Sequence, residues 1–140
     1  MTVQTYLFFS GRCEEAIEFY REVFGAELTF LMRYKDGPPE LVYPGGEEKV
    51  FHASVRFGET TLSLADTNPT KKVSFGGFAL LAKPGSVEVA EREFIALADG
   101  GHVHVPLAET FWAARYGIVA DRFGVTWKIQ VDFDKPNLSR

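Results

Sequence analysis

Apolar positions in the first half of the chain follow two different periods, and each period predicts one kind of element. Residues 3–9 form a mostly apolar, β-rich run, which predicts a buried strand. From Cys13 to Phe24 the apolar residues recur at helical spacing, and Gly25 follows as a C-terminal cap. Three further strands are expected in this half, spanning residues 28–34, 50–57 and 60–66. Segment 35–49, rich in proline and glycine, is predicted to be a long loop.

The second half of the chain repeats this order of elements. A strand over 75–82 precedes a helix that Ser86 is expected to cap. Three more strands are predicted, at residues 102–107, 116–120 and 125–132. The halves also share a short sequence motif, F-G-x-T, which begins at Phe57 and again at Phe123. In each half the motif is followed by a last strand that ends in aspartate. Repetition of one supersecondary unit is the strongest architectural signal in the sequence.

The pattern predicts an α+β fold made of two β-α-β-β-β modules, about 3–66 and about 73–132. A chain of 140 residues has the length of one domain, so we expect a single domain over 1–140. The tail after Asp132 is expected to fray.

Composition and charge exclude several classes of partner. The net charge is −4 and no basic stripe occurs, which disfavours nucleic-acid binding. No apolar run approaches the roughly 20 residues of a membrane span, and the N-terminus lacks the features of a signal peptide. Cys13 is the single cysteine, which rules out an intrachain disulfide and fits a cytoplasmic location.

Several motifs carry a resemblance to a known family. The first helix reads A-I-E-F-Y from Ala16 and runs on to Gly25. The other matching stretches are Tyr6 to Gly11, His52 to Val55, Glu109 to Trp112 and Asp121 to Trp127. The chain resembles the vicinal oxygen chelate superfamily, which includes glyoxalase I, bleomycin-resistance proteins and extradiol dioxygenases, and within it the PhnB-like group. The resemblance implies a curved mixed β-sheet with helices on its outer face, a concave cavity and a homodimer.

The same resemblance bears on cofactors. Metal enzymes of the superfamily place His, Gln or Glu at four points, which fall here on Thr5, about Ser63, about Gly76-Gly77 and Lys128. None of these is a ligand of that kind, and an ammonium group repels a cation, so we predict no metal in that position. The sequence also lacks a Gly-rich turn suited to a nucleotide-like cofactor, which argues against a methyltransferase. No cofactor is therefore expected.

Strand alternation suggests which residues line the cavity. Pairing across the Gly58-Glu59 hairpin sets Ser54 opposite Ser63 and Arg56 opposite Thr61. The residues predicted to bind a ligand are Phe9, Ser54, Arg56, Ser63, Trp112 and Lys128. Phe9 is included because the resemblance to the family implies that Thr5, Leu7 and Phe9 lie on the cavity side of the first strand.

His52 is the main candidate for chemistry, because a cavity-facing histidine can transfer a proton or bind a polar ligand. A structural histidine bonded within the sheet is the alternative. Glu109 is the second acid–base candidate, and with His102 and His104 it could form an off-pattern metal site or simply a solvated strand face. Trp112 either encloses a ligand or packs at a subunit interface.

Two functions stay open. Arg56 and Lys128 would give the cavity a cationic lining for an anionic ligand, unless they meet only water or pair with a local acid. One function is a metal-independent, glyoxalase-like enzyme acting on a small metabolite, with His52 or Glu109 as acid or base. The other is a non-catalytic protein that sequesters a small molecule, as bleomycin-resistance relatives do.

Overall fold

The computed structural model describes residues 1–134 and divides the chain into two compact units, Met1–Val73 and Ser74–Arg140. The elements of the first unit are β1 (Tyr6–Phe9), α1 (Cys13–Phe24), β2 (Glu27–Arg33), β3 (Val50–Phe57) and β4 (Thr60–Asp66). Those of the second are β5 (Leu80–Ala82), α2 (Val87–Ala98), β6 (His102–Ala108), β7 (Arg115–Ala120) and β8 (Thr126–Val131). The predicted single domain over 1–140 stays a prediction, and most of the tail lies outside the described residues.

Both units have the same topology. The first sheet runs in the order β1-β4-β3-β2, and the second runs β5-β8-β7-β6. In each sheet the first strand pairs parallel with the last, while the other neighbours are antiparallel. The α+β class and the repeated β-α-β-β-β module are thereby confirmed, with the eight strands arranged as two four-stranded mixed sheets.

One face of each sheet is covered by the helix of its own unit. Helix α1 packs on β2, β3 and β4, and α2 packs on β6, β7 and β8. The buried side of α1 is the predicted apolar stripe, including Ala16, Ile17 and Tyr20, which are at most 1% exposed. Gly25 closes α1 with φ 66°, a left-handed conformation that a glycine adopts without steric cost.

The strands β1 and β5 are shorter than predicted, because each is an edge strand that pairs with only part of one neighbour. β1 pairs with β4 from Tyr6, opposite Ser63, to Phe9, opposite Asp66. The loop between β2 and β3 contains two 3₁₀ turns, at Tyr34–Asp36 and Pro39–Leu41. No helix within residues 1–134 is long and apolar enough to cross a bilayer.

A buried carboxylate holds the start of α1. Asp66 is 2% exposed, and its Oδ1 accepts hydrogen bonds from the backbone N–H of Gly11 and of Cys13, at 2.8 and 2.9 Å. Its Oδ2 accepts another, at 3.1 Å, from the backbone N–H of Val50 at the start of β3. Arg12 occupies the N-cap position but its side chain makes no capping hydrogen bond, so Asp66 supplies the acceptor that a local cap ordinarily provides.

Asp66 and Asp132, which end the last strand of each repeated stretch in the sequence, have different roles. Asp132, the repeat counterpart of Asp66, pairs with Lys83 and Gln130 on the surface. In the second unit the buried carboxylate of Asp121 accepts from the backbone N–H of Val125 and from the indole of Trp127.

Replacing Asp66 with alanine should therefore destabilise the protein far more than the same change at Asp132. Asp66→Ala leaves three backbone N–H groups without their acceptor, and we expect a loss of about 2–4 kcal/mol in the free energy of unfolding. Asp132→Ala removes exposed contacts and should cost under about 1 kcal/mol. Urea unfolding of both variants measures the difference, and equal losses would contradict the structural role of Asp66.

Candidate functional site

The face of the first sheet opposite α1 carries a cluster of aromatic side chains around a histidine. Tyr6 and Phe8 of β1, Phe30 of β2 and His52 of β3 form this cluster, which we call the aromatic face. The rings of Tyr6 and Phe8 stack with centroids 4.7 Å apart. The His52 ring lies 5.5 Å from Tyr6 and 5.9 Å from Phe30.

The strand register brings these residues together. Tyr6 lies opposite Ser63, Ser63 opposite Ser54, and Ser54 opposite Phe30. Paired residues of neighbouring strands share a face of the sheet, so this row crosses all four strands. His52 lies two residues before Ser54 on β3, on the same face, and is opposite Met32. Pairing of Ser54 with Ser63 and of Arg56 with Thr61 is as predicted.

Both ring nitrogens of His52 have partners. The Tyr6 hydroxyl lies 2.8 Å from Nδ1, and the Ser54 hydroxyl lies 3.4 Å from Nε2. The first contact has the distance of a good hydrogen bond, while the second is long and weak. Burial, reinforced by Cys13 and Tyr34, raises the pKa of the Tyr6 hydroxyl, so the phenol keeps its proton. His52 is therefore held firmly at one nitrogen and loosely at the other.

The predicted register of the first strand was wrong by one residue. Phe9 was expected to line the cavity, but it is 2% exposed and lies on the face that packs with α1, as does Leu7. Tyr6 and Phe8, which alternate with them, reach the aromatic face instead. Phe9 is thus part of the core, and the ligand-binding role assigned to it is not compatible with its burial.

Arg56 belongs by register to the same face, but its charge is already paired. Its guanidinium forms an ion pair with the carboxylate of Glu27 on β2, and both side chains are more than half exposed. Of the alternatives for Arg56, pairing with a local acid is the one found. The Arg56 guanidinium is therefore paired with a carboxylate of the same sheet, and the cationic lining expected from Arg56 and Lys128 stays a prediction.

Lys128 and Trp112 lie in the second unit and form a smaller cluster there. The Lys128 ammonium lies 5.9 Å from the centroid of the Tyr116 ring, within the range of a cation–π contact. Trp112 meets Tyr116 edge-on at 5.2 Å, and Phe111 meets Trp112 at 4.9 Å. Trp112 is 47% exposed and Phe111 is 91% exposed, so these rings are available for contact. The expected meeting of Lys128 with His52 and Ser63 stays a prediction.

The other titratable candidates are exposed. His102 and His104 lie on β6 with ring centroids 4.8 Å apart, and Glu109 lies just beyond the end of that strand. Within residues 1–134, no group of three or more His, Cys, Asp and Glu side chains could hold a metal ion. The residues at the superfamily's metal positions, which include Thr5, Ser63 and Lys128, also do not fit, because hydroxyl and ammonium groups are not the expected ligands.

A cleft of about 260 Å³ lies elsewhere in the first unit, near the start of α1. It is lined by Gly11, Glu14, Arg33, Glu48, Lys49, Val50 and Asp66. Arg33 forms a 2.7 Å ion pair with Glu14 and lowers the pKa of that carboxyl, while the Lys49 ammonium donates to the Gly11 carbonyl at 3.1 Å. The charges of this cleft are therefore largely paired with one another.

Comparison with known proteins agrees with this architecture. The profile of the Glyoxalase/Bleomycin resistance protein/Dioxygenase superfamily matches residues 2–129. Protein YjdN from Escherichia coli (strain K12) is 34% identical, with 97% of this chain and 99% of YjdN aligned. The crystal structure of protein PA1353 from Pseudomonas aeruginosa has a TM-score of 0.84 and 34% identity, covering 94% of this chain and 98% of that chain.

A PhnB protein from Bacillus cereus is also similar, with a TM-score of 0.77 and 25% identity over 94% of this chain and 99% of that one. The chain belongs to the glyoxalase/bleomycin resistance/dioxygenase superfamily, and the predicted resemblance is confirmed.

Tyr6, Phe8 and Phe30 are the site residues that the sequence reasoning missed. A signal was available at Tyr6, because a tyrosine favours a position where its ring is packed and its hydroxyl can reach a polar partner. That preference assigns the other set of alternating residues in β1 to the open face.

Cys13 provides a simple check on the region where α1 begins. Its thiol is fully buried, and burial, together with the nearby Asp66 carboxylate, raises its pKa far above the ordinary range. We expect no reaction with Ellman's reagent in the native protein at neutral pH and one thiol per chain after unfolding in guanidinium. Rapid labelling of the folded protein would contradict the packing described for Cys13.

Proposed function

We propose that this protein binds a small, planar, predominantly apolar molecule on the aromatic face, with His52 supplying the polar contact. The observation that carries the proposal is the exposure of the surrounding rings: Tyr6 is 42%, Phe8 47% and Phe30 46% exposed. Three exposed aromatic rings around one hydrogen-bonding group have the character of a ligand site, in which apolar walls give affinity and a few polar groups give orientation.

The charges of the first unit favour a neutral ligand over an anionic one. Arg56 is the cation that the register places on this face, and Glu27 pairs with it. An anionic ligand would have to compete with that carboxylate. A planar neutral molecule needs only to cover the rings of Tyr6, Phe8 and Phe30, which gains hydrophobic burial without displacing an ion pair.

Binding without turnover accounts for the surroundings of His52 better than catalysis does. A general base needs a nitrogen free to take a proton from the substrate, and both nitrogens of His52 have partners. Metal-independent acid–base catalysis is the second candidate, since the 3.4 Å contact to Ser54 is weak enough for a substrate to replace it. Sequestration of a small molecule is therefore our main proposal.

Two expectations from the superfamily accompany this proposal. We propose a homodimer, for which light scattering at micromolar concentration is the test, and a monomer would oppose it. We also propose a cytoplasmic location, in keeping with a single buried thiol.

Truncating one ring of the aromatic face should weaken binding of a planar probe. With 2-naphthol as the probe, Phe8→Ala removes one stacking surface, and we expect an affinity about fivefold lower by fluorescence titration. Ile95→Ala is the matched control, because Ile95 is an exposed apolar residue on α2 and should leave the affinity unchanged. Equal affinities for the wild type and Phe8→Ala would overturn the assignment of the site.

Catalysis is tested separately from binding. After incubation with protein, 2-naphthol and small carbonyl compounds should be recovered unchanged by mass spectrometry. If a product forms, and His52→Ala abolishes it while circular dichroism shows an intact fold, the enzyme candidate replaces sequestration.

A further inference from the structure

The two nitrogens of His52 differ in how they are held, and that difference bears on which ligands fit. Nδ1 lies 2.8 Å from the Tyr6 hydroxyl, whereas Nε2 lies 3.4 Å from the Ser54 hydroxyl. In a neutral imidazole one nitrogen carries the proton and the other accepts a hydrogen bond, and the partner of one nitrogen fixes the role of the other. The shorter contact, between the Tyr6 hydroxyl and Nδ1, therefore decides which tautomer His52 adopts.

The Tyr6 hydroxyl is the donor in this pair. A phenol is a much stronger acid than a neutral imidazole N–H, and an unprotonated imidazole nitrogen is a stronger base than a phenol oxygen. Donation from the phenol to Nδ1 is therefore the stronger of the two arrangements. Partial burial of Tyr6 also keeps its hydroxyl protonated.

The reverse arrangement would turn the Tyr6 hydrogen away from His52. If Nδ1 carried the proton, the Tyr6 oxygen would accept and its own hydrogen would need another acceptor. Within residues 1–134, His52 is the hydrogen-bond partner found for the Tyr6 hydroxyl. Tyr6 is 42% exposed, so water can accept that hydrogen, but the phenol then loses its bond to the more basic imidazole nitrogen. The arrangement in which Tyr6 donates to Nδ1 is therefore the stronger one.

We propose that Tyr6 fixes His52 as the Nε2–H tautomer, and that the ligand class of the aromatic face is planar molecules carrying a hydrogen-bond acceptor. A carbonyl oxygen or a heteroaromatic ring nitrogen is such an acceptor. This inference rests on the proposed function for the location of the ligand, and it adds the polarity of the contact. Tyr6 acts as a positioning residue, because it works through His52.

Ser54 leaves the Nε2–H group available to the ligand. At 3.4 Å its hydroxyl is beyond the usual range of a strong N–H···O bond, so a better-placed acceptor can displace it at small cost. Ser54 also has Ser63 opposite it in the register, a second hydroxyl on the same face. A molecule covering the rings of Tyr6 and Phe30 would bring its edge to Nε2, since both rings flank His52.

The tautomer is measured without any ligand. Two-dimensional ¹H–¹⁵N NMR of the imidazole at about pH 8.5, where histidine side chains are ordinarily neutral, distinguishes a protonated from an unprotonated ring nitrogen. We expect Nε2 protonated and Nδ1 unprotonated in the wild type, and a mixture of tautomers in Tyr6→Phe.

The matched control for this measurement is Tyr34→Phe. The Tyr34 hydroxyl donates to the Asp66 carbonyl rather than to a histidine, so its removal should leave the His52 pattern unchanged. A wild-type spectrum with Nδ1 protonated, or a Tyr6→Phe spectrum identical to the wild type, would overturn the positioning role of Tyr6.

The ligand class is tested with two probes that differ by one ring nitrogen. 6-Hydroxyquinoline is 2-naphthol with one ring C–H replaced by an acceptor nitrogen. The wild type should bind it about fivefold more tightly than 2-naphthol, the effect of one added neutral hydrogen bond. In Tyr6→Phe, which keeps the aromatic ring, we expect this preference to fall below about twofold.

Equal affinity of the wild type for the two probes would refute the acceptor requirement, even if 2-naphthol binding supports the proposed function. Failure of both probes to bind would refute the proposed function and the acceptor requirement with it. The tautomer measurement is independent of either result.

Discussion

The first unit depends on one buried carboxylate. Asp66 ends β4 and accepts hydrogen bonds from the backbone where α1 begins and from the first residue of β3. Three elements are therefore joined at a carboxylate that is only 2% exposed, where a hydrogen bond to a charged acceptor is strong and its loss is costly. The pairing of β4 with β1 and with β3 places Tyr6 and His52 on one face. The geometry of the aromatic face thus follows from the frame that Asp66 holds.

The second module repeats the strand order of the first, but different polar residues lie on its sheet. The second unit has the same strand order and its own buried aspartate, Asp121, but that residue precedes the last strand instead of ending it. The corresponding sheet carries Lys128 against Tyr116, where the first unit has His52 against Tyr6. Backbone topology needs only apolar alternation and turns at fixed places, so the polar residues on the open faces are free to differ.

The sequence predicted correctly those elements that depend on residues close together in the chain, and it missed features that depend on residues far apart in the chain. Helix α1 and the strands β3 and β4 have the predicted bounds, because their periodicity and the turn at Gly58 are local signals. The residues of β1 that face the cavity were misassigned from the family register. Tyr6 to Phe9 is apolar or aromatic at every position, so alternation could not correct that assignment. The cap from Asp66 to Cys13 joins residues 53 positions apart, and no local pattern encodes it.

The chemistry available to the aromatic face follows from what its polar groups already do. Arg56 is paired with Glu27, and Tyr6 is committed to Nδ1 of His52. The loosely held Nε2 is then the group through which this face can distinguish one planar molecule from another. A site with apolar walls rejects a ligand that leaves its polar group unpaired more effectively than a ligand that is slightly too small. Selectivity here therefore depends less on the shape of the rings than on which nitrogen of His52 carries the proton, and Tyr6 decides that.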